Sequence, residues 1–502
     1  MIYRWKSRNG LTVIDISMNK NRLLTRIIIL IMTLAGILVI LYFLWSNGAF
    51  LPKWIAWTDQ TFYDQSGKYE ILLGNKSLCI LAGDDVIWTS PEEVKIQEAL
   101  SCDIDNDGED ELLLLCWKRG RYGTHRPFWV DRDESKWSQH IFVYEYNGGE
   151  VRPKWMSSYI GQDVSDIGEN QKEGRQVRLL LTDPDGKVSS WMWNSWGFAK
   201  EDTDVSFVVF GDNLIHEPIY RYGLGHEASF EFLFENFKDI ISASDVAVIN
   251  QETPFTEDPS KYSDYPRFGT PVFVGEAIVN AGFTVVTCAT NHALDRGIEG
   301  INTTKRFFDA HNVKCLGIQA ENEKDYCPYQ ILEKNGICIA MLNYTYGTNG
   351  ISIPDENPYM VHLLDDEDKV RDDIAKARSE ADFVIVFAHW GTEYSKQTDS
   401  FQQRWTQIFL ESKADVVIGT HPHVLQPYEM LEDEDGHKTL VFYSIGNYIS
   451  AQSEKTCVKG GMASFTVSLT SNGYEITEYT LQPLSITWQE GRYMVDVADS
   501  KP

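Results

Sequence analysis

The sequence predicts a layered α/β domain over residues 205–490, preceded by a transmembrane helix at 27–45 and a β-rich domain at 52–200. Three observations predict it. A charge-free apolar run lies near the N-terminus, a Trp-rich stretch of short strands follows, and a long tract then alternates apolar strands with helical stretches. Strands alternating with helices imply a sheet covered on both faces. At 502 residues, 43% hydrophobic and 24% charged, the chain has globular composition and room for two or three domains.

Residues 1–26 carry six basic residues (Arg4, Lys6, Arg8, Lys20, Arg22, Arg26) against Asp15 alone, and residues 27–51 carry no charge. A helix of about 20 apolar residues crosses the bilayer core. The basic flank before it assigns 1–26 to a cytoplasmic tail and the remainder to the outside. The run is longer than a signal-peptide core and ends Ser46-Asn47-Gly48-Ala49-Phe50, a poor cleavage site. A retained single-pass anchor in the cell membrane, with extracellular domains, is therefore expected.

Beyond the anchor, 39 basic residues stand against 72 acidic ones. Such a surface repels phosphate backbones, which argues against nucleic acid as a partner, and concentrates cations. Eight cysteines without a C-x-x-C pattern argue against a disulfide scaffold and a cysteine zinc site.

In the β-rich domain, segments such as KYEILLG, SLCILAG, HIFVYEY and VRLLLTD are separated by turn residues. Asp103, Asp105 and Asp107 alternate ahead of Gly108, and Glu111 follows before a run of leucines. Alternating carboxylates around a glycine turn can converge on Ca²⁺, which takes 6–8 oxygens. The spacing resembles the calcium loop of FG-GAP and related β-propeller repeats, with Glu111 at its last position. The alternative is a solvated hairpin. SWMWNSWGF at 190–198 offers carbohydrate stacking or, more ordinarily, core aromatics.

From residue 205 onward, successive strands each end in a ligand-type residue. VSFVVF leads to Asp212, DVAVI to Asn250 and Glu252, FTVVTCAT to Asn291 and His292. DFVIVFA leads to His389 and Glu393, ADVVIGT to His421 and His423, and VFYSI to Asn447. Helices are expected at 228–243, 297–312, 365–380 and 399–412, and an antiparallel ending after residue 460. The carboxyl edge of an open α/β sheet is where ligands bind. Imidazoles, carboxylates and a carboxamide there suit Zn²⁺, Mn²⁺ or Fe. Buried without a cation, they would carry a heavy desolvation cost.

The order FGD, NQETP, CATNHALDRG, FAHWGTEY, IGTHPHV, YSIGNY resembles the capsule-synthesis CapA family, of the poly-γ-glutamate type, whose domain looks like the calcineurin-like metallophosphoesterase fold. The resemblance covers about half the chain and excludes residues 52–200. It implies a layered metallophosphoesterase-like sandwich in which Asp212 is the first-strand metal carboxylate and Glu252 the bridging one. Asn291, His389 and His421 would bind one ion, and His423 with Asp212 the other. His292 resembles the general acid or a phosphate-contacting histidine, while Asn250, Glu393 and Asn447 would orient the ligands. One departure is that Leu214 stands where two-metal phosphoesterases usually carry a histidine. His216 is set aside as pointing elsewhere. The site then holds one ion, or another group substitutes.

Two functions follow. The chain is a metal-dependent phosphoesterase acting on an envelope polymer or its carrier, with His292 protonating the leaving group. Alternatively, it is a poorly hydrolytic or non-catalytic scaffold in making or exporting an anionic polymer such as poly-γ-glutamate. Expected partners are the membrane and that polymer or its synthesis machinery.

Overall fold

A computed structural model describes residues 5–7, 10–12 and 20–498, apart from 65, 123–128, 148–149, 158–159, 171–175 and 471. Much of the basic tail lies outside these. The chain divides into two compact units: Met1–Lys187 with Trp191–Ala199, and Val188–Ser190 with Lys200–Pro502.

In the first unit, the helix Lys20–Ser46 contains the segment Leu23–Ser46, with mean hydropathy 3.0 and no burial in the protein. It is long and apolar enough to cross a membrane, which is compatible with an anchor. Its end is tied down: Trp137 Nε1 donates to the Trp45 carbonyl at 2.9 Å, and the Arg119 guanidinium lies 5.5 Å from the Trp45 ring centroid.

The β-rich part holds three four-stranded sheets, each with strands in chain order. The middle sheet, Lys95–Cys102 to Glu111–Arg119 to Trp137–Asn147 to Glu150–Met156, is an antiparallel meander. Leu112, Leu114 and Cys116 enter one core with Ile71 and Ile80, whereas Leu113 and Leu115 enter another with Val177 and Leu179. Burial on both faces is why the leucine run shows no polar alternation.

The second unit is an α/β sandwich, the class predicted from the sequence. One sheet runs in the order Lys314–Leu316, Val285–Thr287, Val246–Gln251, Val205–Asn213, Lys459–Thr470, Gly473–Gln489, Arg492–Val497. Its first four strands are parallel and its last pairings antiparallel. The other sheet runs Tyr329–Lys334, Ile337–Thr345, Phe383–His389, Val416–Thr420, Lys438–Phe442, Tyr428–Glu432, its four middle strands parallel. Val205, Phe207, Val209 and Val248 of the first pack against Ile339, Phe383, Ile385 and Ile418 of the second. Helices Phe273–Ala281 and Gly297–Ala310 cover one outer face, Glu367–Glu380 and Ser400–Glu411 the other. The last of these starts at a capping box between Asp399 and Gln402 and buries Trp405, Ile408 and Phe409 at helical spacing.

Two segments depart from the sequence reading. Residues 228–243 form a 3₁₀ turn, Glu231–Leu233, and a short helix, Lys238–Ala243, in place of one continuous helix. Tyr448 donates its hydroxyl to the Leu233 carbonyl at 2.5 Å and stacks on Phe234 at 5.3 Å, so that carbonyl is drawn out of a helical ladder. The hairpin Tyr329–Lys334 to Ile337–Thr345 was not foreseen. Its turn is Asn335-Gly336, both at positive φ, a strong hairpin signal.

Candidate metal centre

Parallel strands deliver their carboxyl ends to one edge of each sheet, and in this sandwich the two edges meet. Asp212 is the penultimate residue of Val205–Asn213, where a Cβ on the preceding Gly211 would lie 1.8 Å from the Gly446 carbonyl oxygen. Only glycine permits that approach, and the Asp212 amide donates to the same carbonyl at 3.0 Å. Glu252 follows Val246–Gln251, Asn291 follows Val285–Thr287, and His389 ends Phe383–His389. His421 and His423 follow Val416–Thr420 with left-handed backbones, φ 96° and 59°, on either side of Pro422. Non-glycine residues held there mark a segment constrained by its surroundings.

These six side chains form one buried cluster. His389 Nε2 lies 2.9 Å from Asn291 Oδ1 and 3.7 Å from Glu252 Oε1. His423 Nε2 lies 3.8 Å from Glu252 Oε1, and its Nδ1 lies 3.1 Å from Asp212 Oδ2 and 2.9 Å from Asn447 Oδ1. The His421 ring centroid is 4.9 Å from that of His389 and 5.9 Å from that of His423. Ligand atoms of Glu252, His421 and His423 all fall within 4.8 Å of one another. Behind them, Asn250 Nδ2 donates to Asp212 Oδ1 at 2.8 Å, His389 Nδ1 meets Thr420 Oγ1 at 2.9 Å, and Asn447 Nδ2 donates to the Cys457 carbonyl. Glu393 sits exposed at the rim, where its charge reaches Glu252 and His423.

Both carboxylate oxygens of Glu252 and His421 Nδ1 are buried without a hydrogen-bond partner. Burial chiefly pushes the Glu252 carboxyl well above its ordinary range, and chiefly drives His389 and His421 well below theirs. Burial also pulls on His423, but Glu252 and Asp212 outweigh it and push it up to about 9. The proton that Glu252 and Asp212 favour on His423 is one that a cation would displace. Ligand atoms about 2.1 Å from a tetrahedral cation stand roughly 3.4 Å apart, close to the observed spacings. Partnerless oxygens and imidazole nitrogens at that spacing fit a divalent cation.

His292 stands beside the cluster. Its Nδ1 lies 2.7 Å from Asp295 Oδ2, which also accepts from the Phe268 amide at 2.8 Å. Sequence reasoning missed Asp295, although its placement three residues after His292 was a usable signal. Tyr346 and Asn349, on the loop after the unforeseen strand, were missed as well. The Tyr346 ring lies 4.6 Å from that of His421. Leu214 is buried in the core, and His216 pairs with Asp264 at 2.7 Å.

In the first unit, Asp103, Asp105 and Glu111 converge, but Lys154 already reaches into the group. Its ammonium lies 2.6 Å from Asp105 and pairs with Glu111. Asp103 accepts from the Asp107 and Gly108 amides, while Asp107 is exposed and accepts from the Glu109 amide.

Residues 206–452 match the family model for the bacterial capsule synthesis protein PGA_cap. PGA biosynthesis protein CapA of Bacillus subtilis (strain 168) is 30% identical over 225 residues, 44% of this chain and 57% of that protein. Capsule biosynthesis protein CapA of Bacillus anthracis is 27% identical over 305 residues, 58% of this chain and 69% of that protein. The match thus spans little more than half of the Bacillus subtilis relative. Among solved structures, a novel phosphatase from Mycoplasma pneumoniae aligns at TM-score 0.34 and 14% identity, over 56% of this chain and 94% of that one. A calcineurin-like phosphoesterase from Bacillus subtilis aligns at TM-score 0.30 and 14% identity, over 56% and 90%. Over residues 206–452, just under half its length, the chain is thus similar to capsule-synthesis proteins of the CapA kind.

Proposed function

We propose that the chain is a membrane-anchored capsule-synthesis protein whose outer α/β domain is a metal-dependent phosphoesterase-like centre. It would act in making or exporting an envelope polymer of the poly-γ-glutamate kind, with the N-terminus cytoplasmic. The observation that carries the metal reading is Glu252, whose two buried oxygens find no donor while facing His389 and His423.

Asp212, Glu252, Asn291, His389, His421 and His423 would hold Mn²⁺, Zn²⁺ or Fe, one ion or two. Such a cation supplies Lewis acidity and an activated water at neutral pH. The residues do the rest. Asn250 and Asn447 fix Asp212 and His423, and Thr420 fixes the ring of His389. With its Nδ1 proton donated to Asp295, His292 keeps Nε2 for the proton that a departing alkoxide takes up.

The test is the full-length protein in detergent, loaded with Mn²⁺ and offered an aryl phosphodiester. Turnover that requires metal and His292 supports the reading. A metal-loaded protein that turns over no phosphoester, from a strain whose capsule is lost on deletion, favours the scaffold. That alternative draws on the dense negative charge and on Leu214, which leaves the first strand without its usual imidazole.

A further inference from the structure

The loop Tyr346-Gly347-Thr348-Asn349-Gly350 leaves the strand Ile337–Thr345 and passes beside the cluster. Asn349 is exposed, and with Gly350 it takes left-handed backbone, φ 50° and 75°. Asn291 Oδ1 is engaged by His389 Nε2, so Asn291 offers its Nδ2 to Asn349 Oδ1 at 3.3 Å. That contact uses the Asn349 acceptor and fixes which way its carboxamide faces.

Asn349 Nδ2 then lies 3.4 Å from His292 Nδ1. That nitrogen sits 2.7 Å from Asp295 Oδ2 and, donating its proton there, cannot accept one from Asn349. Among the described residues no other acceptor engages the amide. An exposed carboxamide with its acceptor used and its donors unused stands between a candidate metal ligand and the candidate acid.

We propose that Asn349 is a substrate-contacting catalytic residue, its Nδ2 amide donating to a non-bridging oxygen of a tetrahedral phosphoryl group held over the cluster. The inference rests on the phosphoesterase-like reading and adds to it a donor supplied by the opposite sheet. Negative charge grows on that oxygen as the phosphoryl group reacts, so a preset donor there stabilises the transition state more than the ground state.

The experiment uses full-length protein in detergent loaded with Mn²⁺, titrated calorimetrically with inorganic phosphate, with bound metal counted in the same samples. Asn349→Gly removes the amide while tolerating left-handed backbone. Asn349→Asp keeps the shape but presents a carboxylate to the anion. Wild type should bind phosphate saturably. Asn349→Gly should bind about tenfold more weakly, as expected for a lost charge-assisted bond, and Asn349→Asp more weakly still, both with wild-type metal content. Affinities within twofold of wild type, or a wild type that holds metal but no phosphate, would overturn the assignment. Loss of metal in Asn349→Gly would make Asn349 a metal support and overturn it too. A wild type that takes up no metal would defeat the metal reading first, and this inference with it.

Discussion

The substitution Glu252→Gln separates a metal ligand from a structural carboxylate. In wild type stripped of metal, Glu252 is a fully buried acid with two partnerless oxygens, so the burial of its charge outweighs what His423 returns to it. A cation that binds only the folded state, present at about one hundred times its Kd, adds about 2.7 kcal/mol. For a unit of this size about 2 °C of Tm accompanies each kcal/mol, so Mn²⁺ should raise the wild-type Tm by about 5 °C. The neutral carboxamide of the Glu252→Gln variant would offer the cation no charge, and its Tm should barely respond to Mn²⁺. Its metal-free Tm should equal or exceed that of metal-free wild type. Calorimetry in chelator and then in Mn²⁺ reads both quantities. Breaking a structural buried ion pair instead costs about 3–5 kcal/mol, a fall of roughly 6–10 °C by the same conversion. A fall of that size with the metal response intact would refute the reasoning.

Three further outcomes follow from the same geometry. Because His423 is pushed up to about 9, metal must displace its proton. Apparent affinity should rise about tenfold per pH unit up to that point and then level, with proton release visible as buffer-dependent heat; a flat profile from pH 6 to 9 would contradict this. His292→Ala should lower turnover by about 10²–10⁴-fold with metal content unchanged, and Asp295→Asn should lower it less; unaltered rates would remove His292 as the acid. Lys154→Met leaves Asp105 and buried Glu111 without their cation, so the first unit should lose about 3 kcal/mol. If the loop takes Ca²⁺, millimolar Ca²⁺ should restore that loss; denaturant melts with and without Ca²⁺ decide.

The sandwich was legible because its strands are buried on both faces, so VSFVVF, DFVIVFA and ADVVIG appear as uninterrupted apolar runs. The strand-end residues were legible for a related reason: Asp212, His389 and His421 each break such a run with a costly polar group. Asp295 escaped because its role exists only through His292 Nδ1, a contact invisible in composition. Asn349 escaped because an Asn-Gly pair in a loop reads first as a turn, and the strand that carries the loop had itself been missed. The break at 231–238 depends on Tyr448, more than two hundred residues away, taking the Leu233 carbonyl. Local propensity carries no trace of such a bond.

The most direct test of the centre counts divalent metal by mass spectrometry in purified full-length protein, wild type and the His389→Ala/His421→Ala/His423→Ala variant, after exchange into metal-free buffer. One or two equivalents of Mn, Zn or Fe in wild type, absent from a variant that still folds, is the expected result. A wild type without stoichiometric metal, or a variant that retains it, would contradict the assignment of these residues to a cation site.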